Sequence, residues 1–339
     1  MNATSATKKT ATETMRAVVR ERYGAPQDAL TLREIPAPRA GDDEVLVRVR
    51  AAGANPYDWH YYRGDPYLVR LVTGGFAKPK KGSLLGADFA GEVAAVGSRV
   101  TGYQVGDRVY GETTLGTFAE YVAVPTHHLT SMPTNMTFTE AAAVPMGAIT
   151  AMAALKSGRF EAGQSVIVNG ASGGIGIYAV QLAKALGASE VTGVCSTRNV
   201  AMVQMLGADA VVDYTREDYS RLGKRHDLFI ETQYSQPFRR SRRAIARRGT
   251  FAIAGGGGGK ILGPGAPMLR AMLLAPFIRQ RVAPVMGVID ATALATVTRL
   301  IESGKVRSVI DATYPLENIV DAMTHLETGH VSGKVVITI

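Results

Sequence analysis

A short glycine-rich turn between a strand and a helix constrains this chain more than any other feature. Residues 166–169 are β-forming, and an apolar pattern of helical period runs from 177 to 186. Because Gly173 lacks a Cβ, the backbone there can approach a pyrophosphate, and Gly176 lets the helix pack closely on the strand. The free N–H groups of the helix N-terminus then favour phosphate. We therefore predict a dinucleotide site at the A-x-G-x-x-G turn formed by Ala171, Ser172, Gly173, Gly174, Ile175 and Gly176.

The patterns on either side of residue 139 differ and indicate two domains, for which 339 residues are sufficient. From 15 to 133, short β-type runs separated by turns are typical of a small, curved antiparallel domain. From 139 onward, strands alternate with helices, which indicates βαβ units and a parallel sheet. The predicted fold class is therefore α/β, with a β-rich domain beside a doubly wound parallel sheet.

Cysteine content limits both the compartment and the chemistry. Cys195 is the only cysteine, so neither an internal disulfide nor a cysteine zinc cluster can form. Its position at the end of a predicted strand favours a buried structural residue over a nucleophile.

No apolar run approaches the ~20 residues of a membrane span. Residues 1–14 are rich in Thr, Ala and Ser, which predicts a disordered tail. We expect a cytoplasmic protein.

Two surface features allow more than one interpretation. The net charge is +9, and the arginines of residues 239–248 form either a solvated helix face or a patch that attracts an acidic substrate, a lipid surface or RNA. Without interleaved aromatics or a nucleic-acid motif, we expect no nucleic-acid partner. Residues 268–285 are apolar with arginines interspersed, which favours a lid or a dimer contact over a membrane contact. The clustered arginines are Arg239, Arg240, Arg242, Arg243, Arg247 and Arg248.

Several ordered motifs resemble the medium-chain dehydrogenase/reductase superfamily, in its zinc-free, quinone oxidoreductase-like branch. The resemblance extends from about residue 15 to 339. It implies a GroES-like catalytic domain over 15–138 and 289–339, around a Rossmann domain over 139–288. It also implies an active site in the cleft between the domains, a small-molecule substrate and a homodimer. The motifs include Tyr23-Gly24-Ala25-Pro26, Ala54-Asn55-Pro56-Tyr57-Asp58, Gly106-Asp107-Arg108-Val109 and Gly333-Lys334-Val335-Val336.

The resemblance also argues against a catalytic metal. Zinc-containing members place a cysteine, a histidine and a second cysteine at positions that here hold Asn55, Ala87 and Met146. Asp58 and Asp88 remain, but two carboxylates without imidazole or thiolate partners make a poor zinc site. We therefore expect no metal, and reactions that need a metal to polarise a carbonyl lose support.

The residues beyond the glycine turn predict which nicotinamide cofactor binds. NAD-selective Rossmann domains usually place an acid about 20 residues beyond the turn, where this chain has Ser196 and then Arg198. A hydroxyl and a guanidinium suit the 2′-phosphate of NADPH. The alternative is that Arg198 is a solvated residue at a helix start. The resemblance implies further cofactor contacts at Thr150, Tyr214, Gly255 and Gly256.

Without a metal, the expected chemistry is hydride transfer to an activated alkene or a quinone. The enolate that forms then needs a hydrogen-bond donor and a proton. Asn55 resembles the family asparagine that reaches the nicotinamide ribose or the substrate. The candidate donors that follow it are His60, Tyr61 and Tyr62. In the alternative interpretation, one tyrosine lies in the core and His60 only packs.

Two other functions stay open at this point. One is an NADP-dependent alcohol dehydrogenase or ketone reductase, and the other is a nucleotide-binding or membrane-associated protein with little catalysis. Gln233 and Tyr234 depart from the small-residue Asp-x-x-Gly segment of the family. Such larger side chains either narrow the pocket or fill a collapsed one.

Overall fold

A computed structural model describes residues 14–67, 69–75, 78–80, 83–114, 116–255, 265–285 and 289–339. Thr14, which the sequence analysis places in the tail, is instead the first residue of strand β1 and pairs with Pro36. The strands in the described part are β1 (Thr14–Arg20), β2 (Leu30–Pro36), β3 (Glu44–Ala54), β4 (Ser83–Leu84), β5 (Asp88–Val96), β6 (Arg108–Glu112), β7 (Tyr121–Pro125), β8 (Leu129–Ser131), β9 (Ser165–Asn169), β10 (Glu190–Cys195), β11 (Ala210–Asp213), β12 (His226–Glu231), β13 (Ile245–Ile253), β14 (Arg281–Pro284), β15 (Ile310–Pro315) and β16 (Lys334–Thr338). The helices there are α1 (Pro26–Ala29), α2 (Pro56–Arg63), α3 (Val69–Thr73), α4 (Phe138–Ala142), α5 (Pro145–Gly158), α6 (Gly176–Ala185), α7 (Val200–Met205), α8 (Phe238–Ser241), α9 (Gly265–Leu274), α10 (Ala291–Glu302) and α11 (Ile319–Glu327).

Strands β9 to β14 form a six-stranded parallel sheet in the order β11-β10-β9-β12-β13-β14. Alternate residues of β9 enter two different apolar clusters, Val166 and Val168 on one face and Ile167 on the other. Burial on both faces is the reason that this strand is apolar without alternation. The strand order reverses between β9 and β12, and ligands of doubly wound sheets bind at that point, outside the carboxyl ends of the strands. The predicted parallel sheet is confirmed.

Both parts of the chain outside this sheet contribute to one seven-stranded sheet, in the order β15-β16-β3-β5-β6-β8 with β7 on β3. The last strand, β16, pairs antiparallel with β3, so that Val335 lies opposite Ala54. A three-stranded sheet, β2-β1-β4, completes this β-rich part. The strand composition agrees with a catalytic domain built from both chain segments. The domain boundaries at 138/139 and 288/289 stay a prediction.

A pair of helices joins the two parts and positions the glycine turn. Pro145 is the first residue of α5 and separates it from α4. Gly147 on α5 lies against the turn, because a Cβ there would be 2.4 Å from the carbonyl oxygen of Gly174. The turn is therefore held from one side by α5.

The structure describes the arginine-rich segment 239–248 and most of the apolar segment 268–285 as parts of the parallel sheet and its flanking helices. Around residues 239–248, Arg239, Arg240 and Arg243 are exposed while Phe238 and Ile245 are buried, which supports a solvated face. Residues 268–285 contain the end of α9, a 3-10 turn and β14. The strand β14 is an edge of the parallel sheet.

Candidate active site

The glycine turn has the geometry that a dinucleotide site requires. β9 ends at Asn169 and α6 begins at Gly176. A Cβ at Gly176 would lie 2.0 Å from the carbonyl oxygen of Gly170, so only glycine allows this helix to pack on the strand. A Cβ at Gly173 would meet no atom closer than 3.5 Å, so its absence leaves space above the turn. Among the described residues, the N–H groups of Gly174 and Ile175 have no hydrogen-bond acceptor.

A cleft of about 350 Å³ opens above this turn. Residues from the turn and from the ends of β10 and β11 line it together with the segment that precedes β16. The guanidinium of Arg198 donates a hydrogen bond to the carbonyl oxygen of His330 and so spans the cleft. The residues that line the cleft include Ser172, Gly173, Ser196, Arg198, Tyr214, Gln233 and His330.

Asn199 ties together the segments around the cleft. Its amide nitrogen donates to Ser172 Oγ at 3.0 Å, and its amide oxygen accepts from Ser332 Oγ at 2.8 Å. The backbone N–H of Gly333 donates to the carbonyl oxygen of Ser172 at 2.8 Å. These contacts connect the glycine turn to the C-terminal segment. The sequence analysis missed Asn199. Its partner Ser332 lies 133 residues away along the chain, and no local pattern connects the two.

The segment after β12 differs from the family pattern in a way that the backbone explains. Tyr234 has a φ of 53°, in the left-handed region that favours glycine. The buried Glu231 carboxylate accepts from the N–H of Tyr234 at 2.7 Å and from Asn169 Nδ2 at 2.7 Å, which holds the segment in this conformation. Burial raises the pKa of Glu231 to about 7. Gln233 packs against Gly170 and lines the cleft, whereas the Tyr234 ring packs beside Phe251.

Opposite the turn, one row of polar side chains crosses the seven-stranded sheet. The register pairs Gly53 with Asp88 and Asp88 with Glu112, so these residues share a face. Continuing the β16–β3 register by one residue brings Lys334 beside Asn55 on the same face. Gly53 leaves room for the row, since a Cβ there would lie 3.1 Å from the Asp88 carboxylate. We call Asn55, Asp58, Asp88, Glu112 and Lys334 the polar cluster.

Except for Glu112, which is partly exposed, the residues of the polar cluster are buried and hydrogen-bonded. Lys334 Nζ donates to Asn55 Oδ1 and to Asp88 Oδ2, the latter at 3.2 Å. Asp88 also accepts from Asn55 Nδ2 at 3.0 Å and from the N–H of Met146 at 2.9 Å. Asn55 is 4% exposed, and its amide nitrogen is fully used by Asp88 and by the carbonyl oxygen of Gly53. Its amide oxygen accepts from Lys334, so Asn55 mainly orients the cluster.

Asp58 and Glu112 are the titratable carboxyls at the edges of the cluster. Asp58 accepts from the N–H of Asn55 at 2.8 Å and from the N–H of Gly86 at 3.2 Å, yet burial raises its pKa to about 7. Burial, followed by the nearby carboxylate of Asp88, raises the pKa of Glu112 to about 8. Lys334 and Glu112 were missed as site residues. A lysine at the start of an otherwise apolar closing strand was the available signal for the first.

The predicted donors on α2 separate into different environments. Tyr61 is partly exposed, and its hydroxyl lies 2.8 Å from that of Tyr57, which in turn lies 3.2 Å from the carbonyl oxygen of Thr114. Tyr62 is fully buried, and its hydroxyl donates to Glu327. This does not support the expected catalytic role of Tyr62, and it favours the alternative of one core tyrosine. His60 Nδ1 contacts the carbonyl oxygen of Asp65. One of the two ring nitrogens of His60 is therefore occupied by a local turn contact.

The remaining predicted positions are also placed. Thr150 lies four residues after Met146 on α5, on the same helical face, and is partly exposed. Gly255 follows β13 and lies beside the glycine turn, since a Cβ there would be 3.7 Å from Ile175 Cδ1. Gly256 lies outside the described residues. Cys195 ends β10 and is 2% exposed, and burial raises the pKa of its thiol to about 11, so it is a structural residue.

The residues at the expected zinc positions do not fit a zinc ion. Asn55 is hydrogen-bonded within the cluster, Ala87 is fully buried, and Met146 meets Asp88 only through its backbone N–H. The ammonium of Lys334 already neutralises Asp88. Among the described residues, no group of three or more His, Cys, Asp or Glu side chains is arranged to hold a metal.

Comparisons with known proteins agree with this architecture. Residues 41–134 match the family described as alcohol dehydrogenase GroES-like domain, and residues 206–337 match the family described as zinc-binding dehydrogenase. A chloroplastic quinone-oxidoreductase homolog of Spinacia oleracea is 32% identical over 96% of this chain and 99% of its own length. A chloroplastic NADPH-dependent alkenal/one oxidoreductase of Arabidopsis thaliana is 32% identical over 95% of this chain and 79% of its own length.

Solved structures lead to the same family. The quinone oxidoreductase from Coxiella burnetii superposes with a TM-score of 0.84 at 27% identity, over 96% of this chain and 99% of that one. The chain belongs to the medium-chain dehydrogenase/reductase superfamily, in its quinone oxidoreductase-like branch. It is an oxidoreductase enzyme of a superfamily that binds a nicotinamide cofactor. Within the described ranges, no helix has the length and apolar character needed to cross a bilayer.

Proposed function

We propose that this protein is a zinc-independent, NADPH-dependent reductase of activated alkenes, with enones and quinones as hydride acceptors. The observation that carries the proposal is the contact between the glycine turn and the polar cluster, since a Cβ on Gly174 would lie 3.1 Å from Lys334 Cδ. Lys334 supplies the positive charge among the carboxyls of that cluster. Relatives named as an alkenal/one oxidoreductase and as a 2-methylene-furan-3-one reductase support an alkene as acceptor.

The chain has the groups that an NADP cofactor needs. The unpaired N–H groups of Gly174 and Ile175 lie before the ten-residue helix α6 and suit a pyrophosphate. Ser196, Arg198 and Tyr214 line the far end of the cleft, where a guanidinium can pair with a 2′-phosphate. When bound, the reduced nicotinamide supplies a hydride. The protein contributes position, because Gly255 and Thr150 lie beside the turn at the other end.

The acceptor would lie between that end of the cleft and the polar cluster. There the hydroxyls of Tyr57 and Tyr61 can donate to an acceptor oxygen as negative charge develops on it. Lys334 does not need to reach the acceptor, since its charge acts on Asp88 and Asn55. Partial burial of these hydroxyls strengthens each hydrogen bond that they form in the transition state.

Acceptor selectivity tests the proposal. NADPH oxidation would be followed with a cyclic enone, a quinone and the saturated ketone of the same ring as matched control. We expect turnover with the enone or the quinone and none with the saturated ketone. Turnover with the saturated ketone alone would instead support an alcohol dehydrogenase or ketone reductase. Cofactor binding without turnover on any acceptor would contradict catalysis altogether.

We further propose a cytoplasmic homodimer. The thiol of Cys195 is buried and is the chain's only cysteine, which suits a reducing compartment. α9 and the turn after it expose Leu269, Leu273 and Phe277 next to the edge strand β14. Exposed apolar side chains beside a sheet edge are typical of a subunit contact.

A further inference from the structure

We propose that Glu112 is the general acid of the reaction and delivers a proton to the substrate carbon next to the carbonyl after hydride transfer. This assignment rests on the proposed enone reduction. Its basis is the position of Glu112 at the end of β6, on the cluster face of the sheet and directly opposite Asp88.

Glu112 differs from the other carboxyls of the polar cluster in its hydrogen bonding. Asp58 and Asp88 accept hydrogen bonds from backbone and side-chain donors. Among the residues that the structure describes, the Glu112 carboxyl has neither a hydrogen-bond partner nor an ion-pair partner. It is also partly exposed, whereas Asp58 and Asp88 are fully buried. Its proton is therefore available to a ligand and can be replaced from solvent.

The side chain is close to the groups that would hold the substrate oxygen. Two residues after Glu112, the carbonyl oxygen of Thr114 lies 3.2 Å from the Tyr57 hydroxyl. That hydroxyl lies 2.8 Å from the Tyr61 hydroxyl. An acceptor oxygen bound by these hydroxyls would have its α-carbon near the Glu112 carboxyl. The oxygen-binding groups and the proton donor are thus on neighbouring elements, α2 and β6.

Burial, followed by the neighbouring carboxyl of Asp88, raises the pKa of Glu112 and so favours its protonated form. The groups that face it are the carboxyls of Asp88 and Asp58, the ammonium of Lys334 and the hydroxyl of Tyr57. Lys334 is already bonded to Asp88, so burial and the two carboxyls dominate and raise the pKa of Glu112 to about 8. A general acid is most effective when its pKa lies near the working pH.

The proposed step is balanced. Hydride addition to the β-carbon moves the C=C electron pair to the carbonyl and forms an enolate. The O–H bond of Glu112 then breaks, its proton forms the new C–H bond at the α-carbon, and the C=O bond is restored. Glu112 is left as a carboxylate, near the positive charge of Lys334, and takes a proton from water. Overall, the enone, a hydride and a proton give the saturated ketone.

The test uses the variant Glu112→Gln with 2-methylcyclohex-2-enone and NADPH, because protonation of the α-carbon sets the handedness of the 2-methylcyclohexanone product. We expect kcat to fall about 100-fold, in line with the contribution of a general acid, and the enantiomer ratio to move towards equality. The NADPH Kd should stay within about twofold, since general acid–base catalysis acts on the chemical step and not on cofactor binding. The kcat of the wild type should fall above about pH 8, where the acid loses its proton, and this fall should be absent in the variant.

Glu92→Gln is the matched control, because Glu92 lies at the other end of the same β5–β6 ladder, opposite Arg108. It should keep both kcat and the enantiomer ratio. Glu112→Asp retains a carboxylic acid and should preserve more of the enantiomer ratio than Glu112→Gln, which separates proton delivery from a folding effect. Quinone reduction should lose less than enone reduction in Glu112→Gln, since a hydroquinone oxygen takes its proton from water.

Three results would overturn the assignment. If Glu112→Gln has kcat within twofold of the wild type with an unchanged enantiomer ratio, Glu112 is not the acid. If the wild type reduces quinones but no enone, the acid role fails while quinone reduction stands. If the wild type reduces neither, the proposed function fails and the acid role fails with it.

Discussion

Lys334 Nζ lies 3.2 Å from Asp88 Oδ2, in an ion pair whose side chains are 3% and 0% exposed. The pair joins the last strand, β16, to β5. Lys334 passes so close to the glycine turn that a Cβ on Gly174 would be 3.1 Å from its Cδ. A buried cation therefore connects the glycine turn to the polar cluster.

Removing that cation should be strongly destabilising. Lys334→Met leaves Asp88 buried without its counter-charge, and breaking a buried pair typically costs about 3–5 kcal/mol. Adding Asp88→Asn to Lys334→Met should recover part of this loss, because both charges are then gone. Urea denaturation of the single and double variants measures both effects. The control is Lys184→Met in the exposed pair with Asp209, which should cost at most about 1 kcal/mol. If Lys334→Met and Lys184→Met lowered the free energy of unfolding equally, the buried pair would not have the stabilising role assigned to it.

Cofactor preference should depend on Arg198. Arg198→Ala removes a guanidinium from the cleft, and a hydrogen bond to a charged group is worth about 1.5–3 kcal/mol. We therefore expect the NADPH Kd to rise about 10- to 100-fold, with the NADH Kd little changed. Fluorescence titration with both cofactors measures this. Arg221→Ala, at an exposed arginine paired with Asp218, is the control and should leave both affinities unchanged. An unaltered preference for NADPH in Arg198→Ala would remove the support for this assignment.

The sequence predicts features whose cause is local. The glycine turn and the parallel sheet are predictable because strand, turn and helix preferences act over a few residues. The Asn199–Ser332 and Lys334–Asp88 contacts could not be predicted, because no local pattern indicates which distant residues a fold brings together.

The predictions on α2 show where a local interpretation was incomplete. His60, Tyr61 and Tyr62 are consecutive, and consecutive residues of a helix cannot share a face. The helical period instead pairs Tyr57 with Tyr61 on a partly exposed face and Asp58 with Tyr62 in the buried interior. Applying the period of 3.6 residues to this segment would have selected Tyr57 and Tyr61. For the left-handed backbone of Tyr234, the glycine in the family's Asp-x-x-Gly segment was a signal, but the hydrogen bonds of Glu231 that hold it had none.

Stability should fall as the pH rises through neutrality, and Glu231 should contribute to this. Burial raises the pKa of Glu231 to about 7 in the folded protein, against ~4.3 for an unperturbed glutamate. Between these values the folded state holds a proton that the unfolded chain releases, so the unfolding free energy decreases with rising pH. Glu231→Gln should flatten this decrease, by at most about 1.4 kcal/mol per pH unit.

Urea denaturation at a series of pH values from about 5 to about 8 measures the effect. Glu217→Gln is the control, because Glu217 is exposed, and it should keep the slope of the wild type. A slope that is identical in Glu231→Gln and in the wild type would show that Glu231 is ionised across this range.

The exposed apolar surface at α9 should mediate dimer formation. Leu273 is 65% exposed and Phe277 is 86% exposed, next to the edge strand β14. We expect a dimer in light scattering after size exclusion, and a monomer for the double variant Leu273→Asp, Phe277→Asp. Leu222→Asp, at an exposed leucine outside this segment, should remain dimeric. A monomeric wild type, or a dimeric double variant, would contradict the proposed contact.

The two glycines of the turn should separate binding from folding. A Cβ at Gly176 would lie 2.0 Å from the carbonyl oxygen of Gly170, so Gly176→Ala must displace α6 and should lower the unfolding free energy by about 1–3 kcal/mol. A Cβ at Gly173 would approach nothing closer than 3.5 Å, so Gly173→Ala should fold normally. That Cβ would nevertheless occupy the space through which a pyrophosphate approaches the backbone, and NADPH affinity should drop at least tenfold. Denaturation and cofactor titration of both variants measure these effects. A destabilised Gly173→Ala would contradict the expectation that the turn has room for a Cβ there, and unchanged NADPH affinity in a folded Gly173→Ala would show that the cofactor does not lie over this turn.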